Sequence, residues 1–224
     1  MHNHILFGID DGSKSIENSL QMATQFVKLG YKKIIATPHI MSYHYDNTPK
    51  IIECRRNELN RAFETNGIEL EIDFAAEYYM DEVLLSQVKN NIPLLSFQGK
   101  NLLIETSFMS KPVFFNELIF DLKMQGYLPV YAHPERYVYL HNNYEEIEQS
   151  IELGLKLQIN LLSLSGYYSP MVKKTAEWMI SKGYYDFLGT DAHSTAHLDL
   201  MKDVYKSKAF SKIDFGKVEN CKDF

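Results

Sequence analysis

Apolar positions along the chain switch between two periods. In "SIENSLQMATQFVKLG" they recur at Ile16, Leu20, Ala23 and Val27, one face of a helix, and the stretch stops at Gly30. "KKIIATPH" follows as a short buried strand running into a loop. "TPKIIECRRNELNRAFETNG" starts with Thr48 as its cap and Pro49 at the first helical position, and ends at Gly67. The alternation then repeats. Strands are predicted in "IELEIDFAAE", "NLLIETS", "LPVYAHPERY", "LKLQIN" and "YDFLGTDAHS". Helices are predicted in "DEVLLSQVKN", "VFFNELIFDLKMQG", "YEEIEQSIELG" and "SPMVKKTAEWMISKG", with a last helix from about His197. Such alternation predicts a parallel sheet. With the opening "MHNHILFGIDDG" as strand one the count is about seven, which points to a closed or nearly closed βα barrel. An open doubly wound sheet is the alternative, but no glycine-rich nucleotide fingerprint supports it.

Length and charge narrow the classes. The 224 residues fit a single domain, with a core over about residues 1–208 and a tail over 209–224. A net charge of -6 argues against nucleic acid as a partner. No apolar run is long enough for membrane insertion, and no signal segment precedes the first motif, so a cytoplasmic location is expected. Cys54 and Cys221 make no disulfide framework. Neither is followed by an arginine six residues on, so a cysteine-dependent phosphatase loop is excluded.

Candidate chemistry lies where the strands end. "IIATPH" ends at His39, "DFAAE" at Glu77, "LLIE" at Glu105, "PVYAH" at His133 and "FLGTD" at Asp191. Strand C-termini of a βα barrel converge on one face, where active sites are built. Carboxylates gathered there without counter-ions would repel and desolvate, and metal ions remove that cost. In an extended first strand, His2 and His4 point to the same side and reach one metal together. Asp11 follows in the first loop, and His193 lies two residues after Asp191. This nitrogen and oxygen set without thiolate suits manganese, iron or zinc, and it is too large for a single ion. Asp10 reads as the turn residue of its pair, and His44 and His141 read as surface residues of tyrosine-rich loops. Arg136 lies three residues after His133, and its bland reading is a surface arginine paired with Glu135.

These stretches, with "HNHILFGIDDGSKSIENSL", "IIATPHIMS", "AAEYYMDE", "LIETSF", "YAHPERY", "INLLSLSGYY" and "FLGTDAHS", resemble the PHP superfamily, the polymerase and histidinol phosphatase domain. They look most like its bacterial tyrosine-protein phosphatases of capsule and exopolysaccharide control. The resemblance implies an α/β fold, a distorted TIM-like (βα)7 barrel, with three divalent cations, manganese first. It places His2, His4, Glu77 and Asp191 on one metal. Glu77 bridges to a second that Glu105 and His133 also hold, and Asp11, His39 and His193 hold the third. Arg136 would bind substrate phosphate, and His197 stands where some relatives carry a further basic residue. Relatives carry several apolar residues before the His-x-His pair, where only Met1 stands here, so strand one is expected to be short or to lack an N-terminal piece.

The expected reaction is metal-dependent hydrolysis of phosphotyrosine by a metal-bridging hydroxide, with His133, Arg136 and Asp191 as catalytic residues. By resemblance, the expected partner is an autophosphorylated bacterial tyrosine kinase governing polysaccharide export. The tyrosine-rich loops "SYHYD" and "ERYVYL" offer an aromatic rim for a peptide, although rim tyrosines are commonly packing. Two alternatives stand beside this reading: a histidinol-phosphate-type small-molecule phosphatase, and a non-catalytic, metal-stabilised interaction module.

Overall fold

A computed structural model describes residues 1–221. Strand and helix alternate as the hydrophobic periods require, and all strand pairs are parallel. β1 (Lys33–Ala36) pairs with β3 (Glu71–Phe74) in a two-stranded sheet. β2 (His39–Ile40), β4 (Glu77–Tyr79), β5 (Asn101–Glu105), β6 (Leu128–Ala132), β7 (Lys156–Asn160) and β8 (Phe187–Gly189) form a six-stranded half-barrel in that order. The register sets His39 beside Glu77, and Tyr79 beside Glu105.

Two of the predicted strands are therefore broken in two. "KKIIATPH" divides at Thr37 and Pro38, where proline removes a ladder donor, and "IELEIDFAAE" divides at Ala75 and Ala76. The halves stay side by side through Ala75 N–H to Ala36 O (2.8 Å) and Glu77 N–H to Pro38 O (3.1 Å).

The opening segment is not the extended strand that the His-x-His spacing suggested. It makes one parallel bridge, Asn3 to Ala192, and His2 has a φ of 59°, in the left-handed region. His4 N–H donates to Ala192 O and Thr37 N–H to Asn3 O, so residues 2–4 join the end of β8 to the end of β1.

Helix α1 (Ile16–Lys28) starts at Ser15, whose side chain accepts from Asn18 N–H. Its buried residues are Ser19, Met22, Ala23 and Phe26; of the predicted stripe Ala23 is buried, Ile16 and Leu20 are partly buried against the core, and Val27 is 36% exposed. The Ser19 hydroxyl donates to Ile5 O at 2.5 Å, which gives this buried polar side chain its partner. α2 (Pro49–Thr65) has the predicted Thr48 cap, which accepts from Ile51 N–H. α3 (Glu82–Lys89), α4 (Phe115–Met124), α5 (Tyr144–Glu152) and α6 (Pro170–Lys182) cross between strands. The last predicted helix is two short ones, α7 (Thr195–Asp199) and α8 (Met201–Tyr205).

Residues 209–221 do not form a detached tail. Ala209, Ile213 and Val218 are buried, and the Asn220 amide both donates to Leu188 O and accepts from Leu188 N–H, occupying the free edge of β8. Residues 222–224 lie outside the described residues, as does the Cys221 side chain. Among the described residues, no helix is long and apolar enough to cross a membrane.

The two sheet faces bury different clusters. Leu102, Ile104, Tyr131, Leu157 and Ile159 face the helices, while Ile35, Ala75, Leu103, Val130, Ala132 and Phe187 form a smaller cluster on the inner face. Side chains alternate along a strand, so the residue two past an inner-face position shares its side. Ala75 leads in this way to Glu77, and Leu103 to Glu105. The inner cluster is thus the floor beneath the ligand-type residues.

Candidate metal centre

The predicted residues gather at strand termini, but His39 and Glu77 start short second strands instead of ending the strands that the sequence assigned them to. His39 and Glu77 open β2 and β4, Glu105 closes β5, His133 follows β6, and Asp191 and His193 follow β8. Among the described residues, three sets have candidate donor atoms within 4.8 Å of one another: His2, His4, Glu77 and Asp191; His4, Asp11, His39 and His193; and His39, Glu77 and Glu105. Glu77 is central and fully buried. One of its oxygens lies 3.1 Å from His2 Nε2 and the other 3.1 Å from His133 Nε2. His39 faces two sides, with Nδ1 2.9 Å from Glu105 and Nε2 3.5 Å from Asp11. The last set contains His39 where the resemblance had implied His133. His133 stands 3.1 Å from Glu77 and 4.0 Å from Glu105, at the rim of the same group. Like His2, His133 and Asp191 hold left-handed backbone, with φ of 34° and 46°, a strain that recurs where a side chain must be aimed.

Donor chemistry tests whether this set fits metal ions. His2 Nδ1 lies 2.7 Å from Gln158 Oε1, His4 Nδ1 2.8 Å from Asp10 Oδ2, and His193 Nδ1 2.9 Å from the Asp191 carbonyl. Each partner is an acceptor, so each Nδ1 carries the proton and donates it. The Nε2 lone pairs then face carboxylates: His4 Nε2 lies 3.2 Å from Asp191 and His193 Nε2 3.3 Å from Asp11. His4 Nε2 is buried with no hydrogen-bond partner. Acceptors facing acceptors in a buried site call for a cation between them, and oriented imidazoles are how proteins provide it. The set fits divalent cations.

Without cations, protons take that place. Burial alone would lower the pKa of His2, but the Glu77 and Asp191 carboxylates overturn this and push it up to about 10. Burial likewise opposes the charged form of His39, which Glu105 and Glu77 raise to about 9. Burial would raise Glu77 and Asp191, yet the neighbouring imidazoles, His2 foremost, hold both well below the carboxylate range.

Arg136 ends the 3-10 turn Pro134–Arg136, with Nη1 2.5 Å from Asp191 Oδ2. Its guanidinium lies between the rings of Phe108 (4.8 Å) and Tyr168 (4.2 Å). The blander pairing with Glu135 does not occur. Glu135 is fully buried and accepts from Asn160 N–H (2.9 Å) and the Ser163 hydroxyl (2.6 Å). His197 is half-buried beside the centre. Its Nδ1 accepts from His193 N–H at 3.3 Å, and its Nε2 lies 3.2 Å from the Tyr167 hydroxyl. His44 is exposed as expected, whereas His141 is half-buried, with Nε2 3.0 Å from Glu135 O.

Sequence reasoning missed the supporting groups. Asp10 does make the expected turn, accepting from Gly12 N–H, but it also orients His4. Gln158 orients His2, and Asn160 donates to Asp191 at 3.0 Å. The "LQIN" strand end carried a readable signal, since Gln158 and Asn160 are polar at alternate positions of a strand whose neighbours lead into His133 and Asp191. The rim also differs: Tyr137 of "ERYVYL" is fully buried, while Tyr45 of "SYHYD" stacks on His39 with centroids 5.5 Å apart.

Comparison with known proteins agrees with this architecture. The chain is 31% identical over 195 residues to the tyrosine-protein phosphatase YwqE of Bacillus subtilis, covering 87% of this chain and 76% of that protein. It is 29% identical over 225 residues to the tyrosine-protein phosphatase CpsB of Streptococcus agalactiae, covering 97% and 90%. It superposes at a TM-score of 0.80, with 28% identity, on a solved structure from work on YwqE of Bacillus subtilis and CpsB of Streptococcus pneumoniae, described as metal-dependent tyrosine phosphatases; the match covers 93% of this chain and 87% of that one. The sequence profile of the capsular polysaccharide synthesis family CpsB/CapC matches residues 1–206, and the chain belongs to that family.

Proposed function

We propose that this chain is a metal-dependent protein-tyrosine phosphatase. The observation that carries the reading is the convergence of oriented imidazole Nε2 atoms and buried carboxylates beside one guanidinium, Arg136. The names of the relatives agree with it. We read the fold as a (βα)7 barrel in which residues 2–4 stand for the first strand, forming one domain over residues 1–224 in the cytoplasm.

Three divalent cations, manganese first, are proposed: one on His2, His4, Glu77 and Asp191, one on Glu77, Glu105 and His133, and one on Asp11, His39 and His193. When bound, they supply Lewis-acid neutralisation of phosphoryl charge and hydroxide at neutral pH. The residues of the chain do the rest. Arg136 presents a planar fork to two phosphoryl oxygens, exchanging its Asp191 contact for the dianion. Asn160 keeps Asp191 hydrogen-bonded while that exchange occurs. His197, whose Nδ1 accepts from His193 N–H, would turn its Nε2 from the Tyr167 hydroxyl to add a donor to the phosphate site. A tyrosinate, of pKa about 10, leaves without a strong acid, and no side-chain phosphoenzyme forms. The proposed substrate is the phosphotyrosine of an autophosphorylated bacterial kinase in capsule synthesis, as the family name supports.

Phosphate release from a phosphotyrosine peptide and from histidinol phosphate, with manganese and with His133→Ala as the blank, tests the reading. Turnover of the peptide, lost with chelator and in the variant, is expected. Preference for histidinol phosphate would overturn the protein-substrate assignment, and silence on both would overturn catalysis.

A further inference from the structure

Arg136 meets two rings, and they differ in one respect. Tyr168 is tied down, its hydroxyl accepting from Asn160 Nδ2 at 3.0 Å. Phe108 is only partly covered: its ring stacks on His133 (centroids 5.9 Å, planes 21° apart) and lies 4.8 Å from the Arg136 guanidinium, yet it is 39% exposed. Among the described residues, it is the exposed ring that touches the proposed phosphate clamp.

Its position is built. Phe108 lies three residues after Glu105, the last residue of β5. Its carbonyl accepts from Val138 N–H at 2.8 Å, which ties it to the segment just after Arg136. Thr106 N–H donates to the buried Tyr137 hydroxyl at 3.2 Å, and the Tyr137 ring supports Phe108 at 5.8 Å. These contacts anchor the ring beside the clamp. Beside it, Met109 and Val138 are exposed as well, extending an apolar margin.

An aryl phosphate carries its ring one ester oxygen from phosphorus. With the phosphoryl group on Arg136, that ring comes to the level of Phe108, and stacked or edge-on aromatic pairs are favourable at about 4.5–7 Å between centroids. A seryl or other alkyl ester has no face to offer there. Resting on the phosphatase reading of the site, we propose that Phe108 is a specificity-determining residue, the platform for the phenyl ring of phosphotyrosine, selecting aryl over alkyl phosphate esters. Met109 and Val138 flank that platform where residues next to the phosphotyrosine would lie.

Calorimetric binding of benzylphosphonate and ethylphosphonate to the manganese-loaded protein reads this directly, because neither is hydrolysed. The wild type is expected to prefer the benzyl compound. Phe108→Ala should shrink that preference by about five- to tenfold, the size a ring–ring contact carries, and Phe108→Tyr should keep it. The same pattern is expected in kcat/KM for a phosphotyrosine peptide relative to an alkyl phosphate. Proportional losses for both phosphonates in Phe108→Ala would mean that the ring merely props Arg136, and would overturn the proposal. So would a preference that falls in Tyr45→Ala and holds in Phe108→Ala, since Tyr45 is the rival ring on His39. A protein that prefers benzylphosphonate through Phe108 but hydrolyses no phosphomonoester would sink the phosphatase reading and leave the platform standing.

Discussion

Asp10 Oδ2 accepts the Nδ1 proton of His4 at 2.8 Å, both side chains being buried. This one bond sets the tautomer of His4 and aims Nε2 at Glu77 and Asp191. In Asp10→Asn, the side-chain carbonyl still accepts from Gly12 N–H, while the amide NH2 now confronts His4. Manganese affinity, measured by titration calorimetry, is expected to drop about 10- to 100-fold, the range seen for groups that orient metal ligands. Unchanged affinity would remove Asp10 from the centre.

Gly12 lies against the backbone of His4. A Cβ there would come 2.1 Å from His4 O and 2.4 Å from His4 Cβ, and backbone cannot swing aside. Gly12→Ala is expected to cost about 3 kcal/mol or more, lowering Tm by roughly 6–12 °C in thermal unfolding for a chain of this size.

Arg136→Lys keeps the charge and loses the fork. The expected result is a fall of about a hundredfold in kcat/KM for a phosphotyrosine peptide, with bound manganese unchanged by elemental analysis. A fall in metal content of the same size would place the role of Arg136 in holding Asp191 instead.

The metal-free protein should depend on pH in a definite direction. His2 at about 10 and His39 at about 9 are raised above an unfolded value near 6.5. Their stabilising contribution is full below about 6.5 and is lost as pH rises through 9–10. Glu77 and Asp191 are held low, so their contribution is full above the ordinary carboxylate range and is lost in acid. Denaturant unfolding of the stripped protein should show falling stability from pH 7 to 10. Manganese should flatten that fall, because a bound cation replaces the proton. A flat profile in stripped protein would contradict the buried imidazole–carboxylate contacts.

That these side chains would gather was legible because an apolar run followed by His, Glu or Asp repeats at His39, Glu77, Glu105, His133 and Asp191, although β1 and β3 end three residues before His39 and Glu77. What failed was local and had tertiary causes. His2 and His4 were assigned to an extended strand, yet they converge through a left-handed residue and a single bridge, because hydrogen bonds to Ala192 and Thr37 hold the segment. The α1 stripe held at Ile16, Leu20 and Ala23 but not at Val27, and an apolar count passed over Ser19, a buried polar residue whose hydroxyl donates to Ile5 O. Gln158 and Asn160 were read only as part of a strand. The residues that aim a ligand have ordinary side chains, and partners distant in sequence give them their role.

The most direct test is to strip the protein with chelator, return manganese stepwise, and follow bound metal and phosphate release from a phosphotyrosine peptide together. The account predicts no turnover in the stripped protein and recovery that tracks occupancy to about three equivalents per chain. Turnover that survives stripping, or full occupancy without phosphate release, would contradict it.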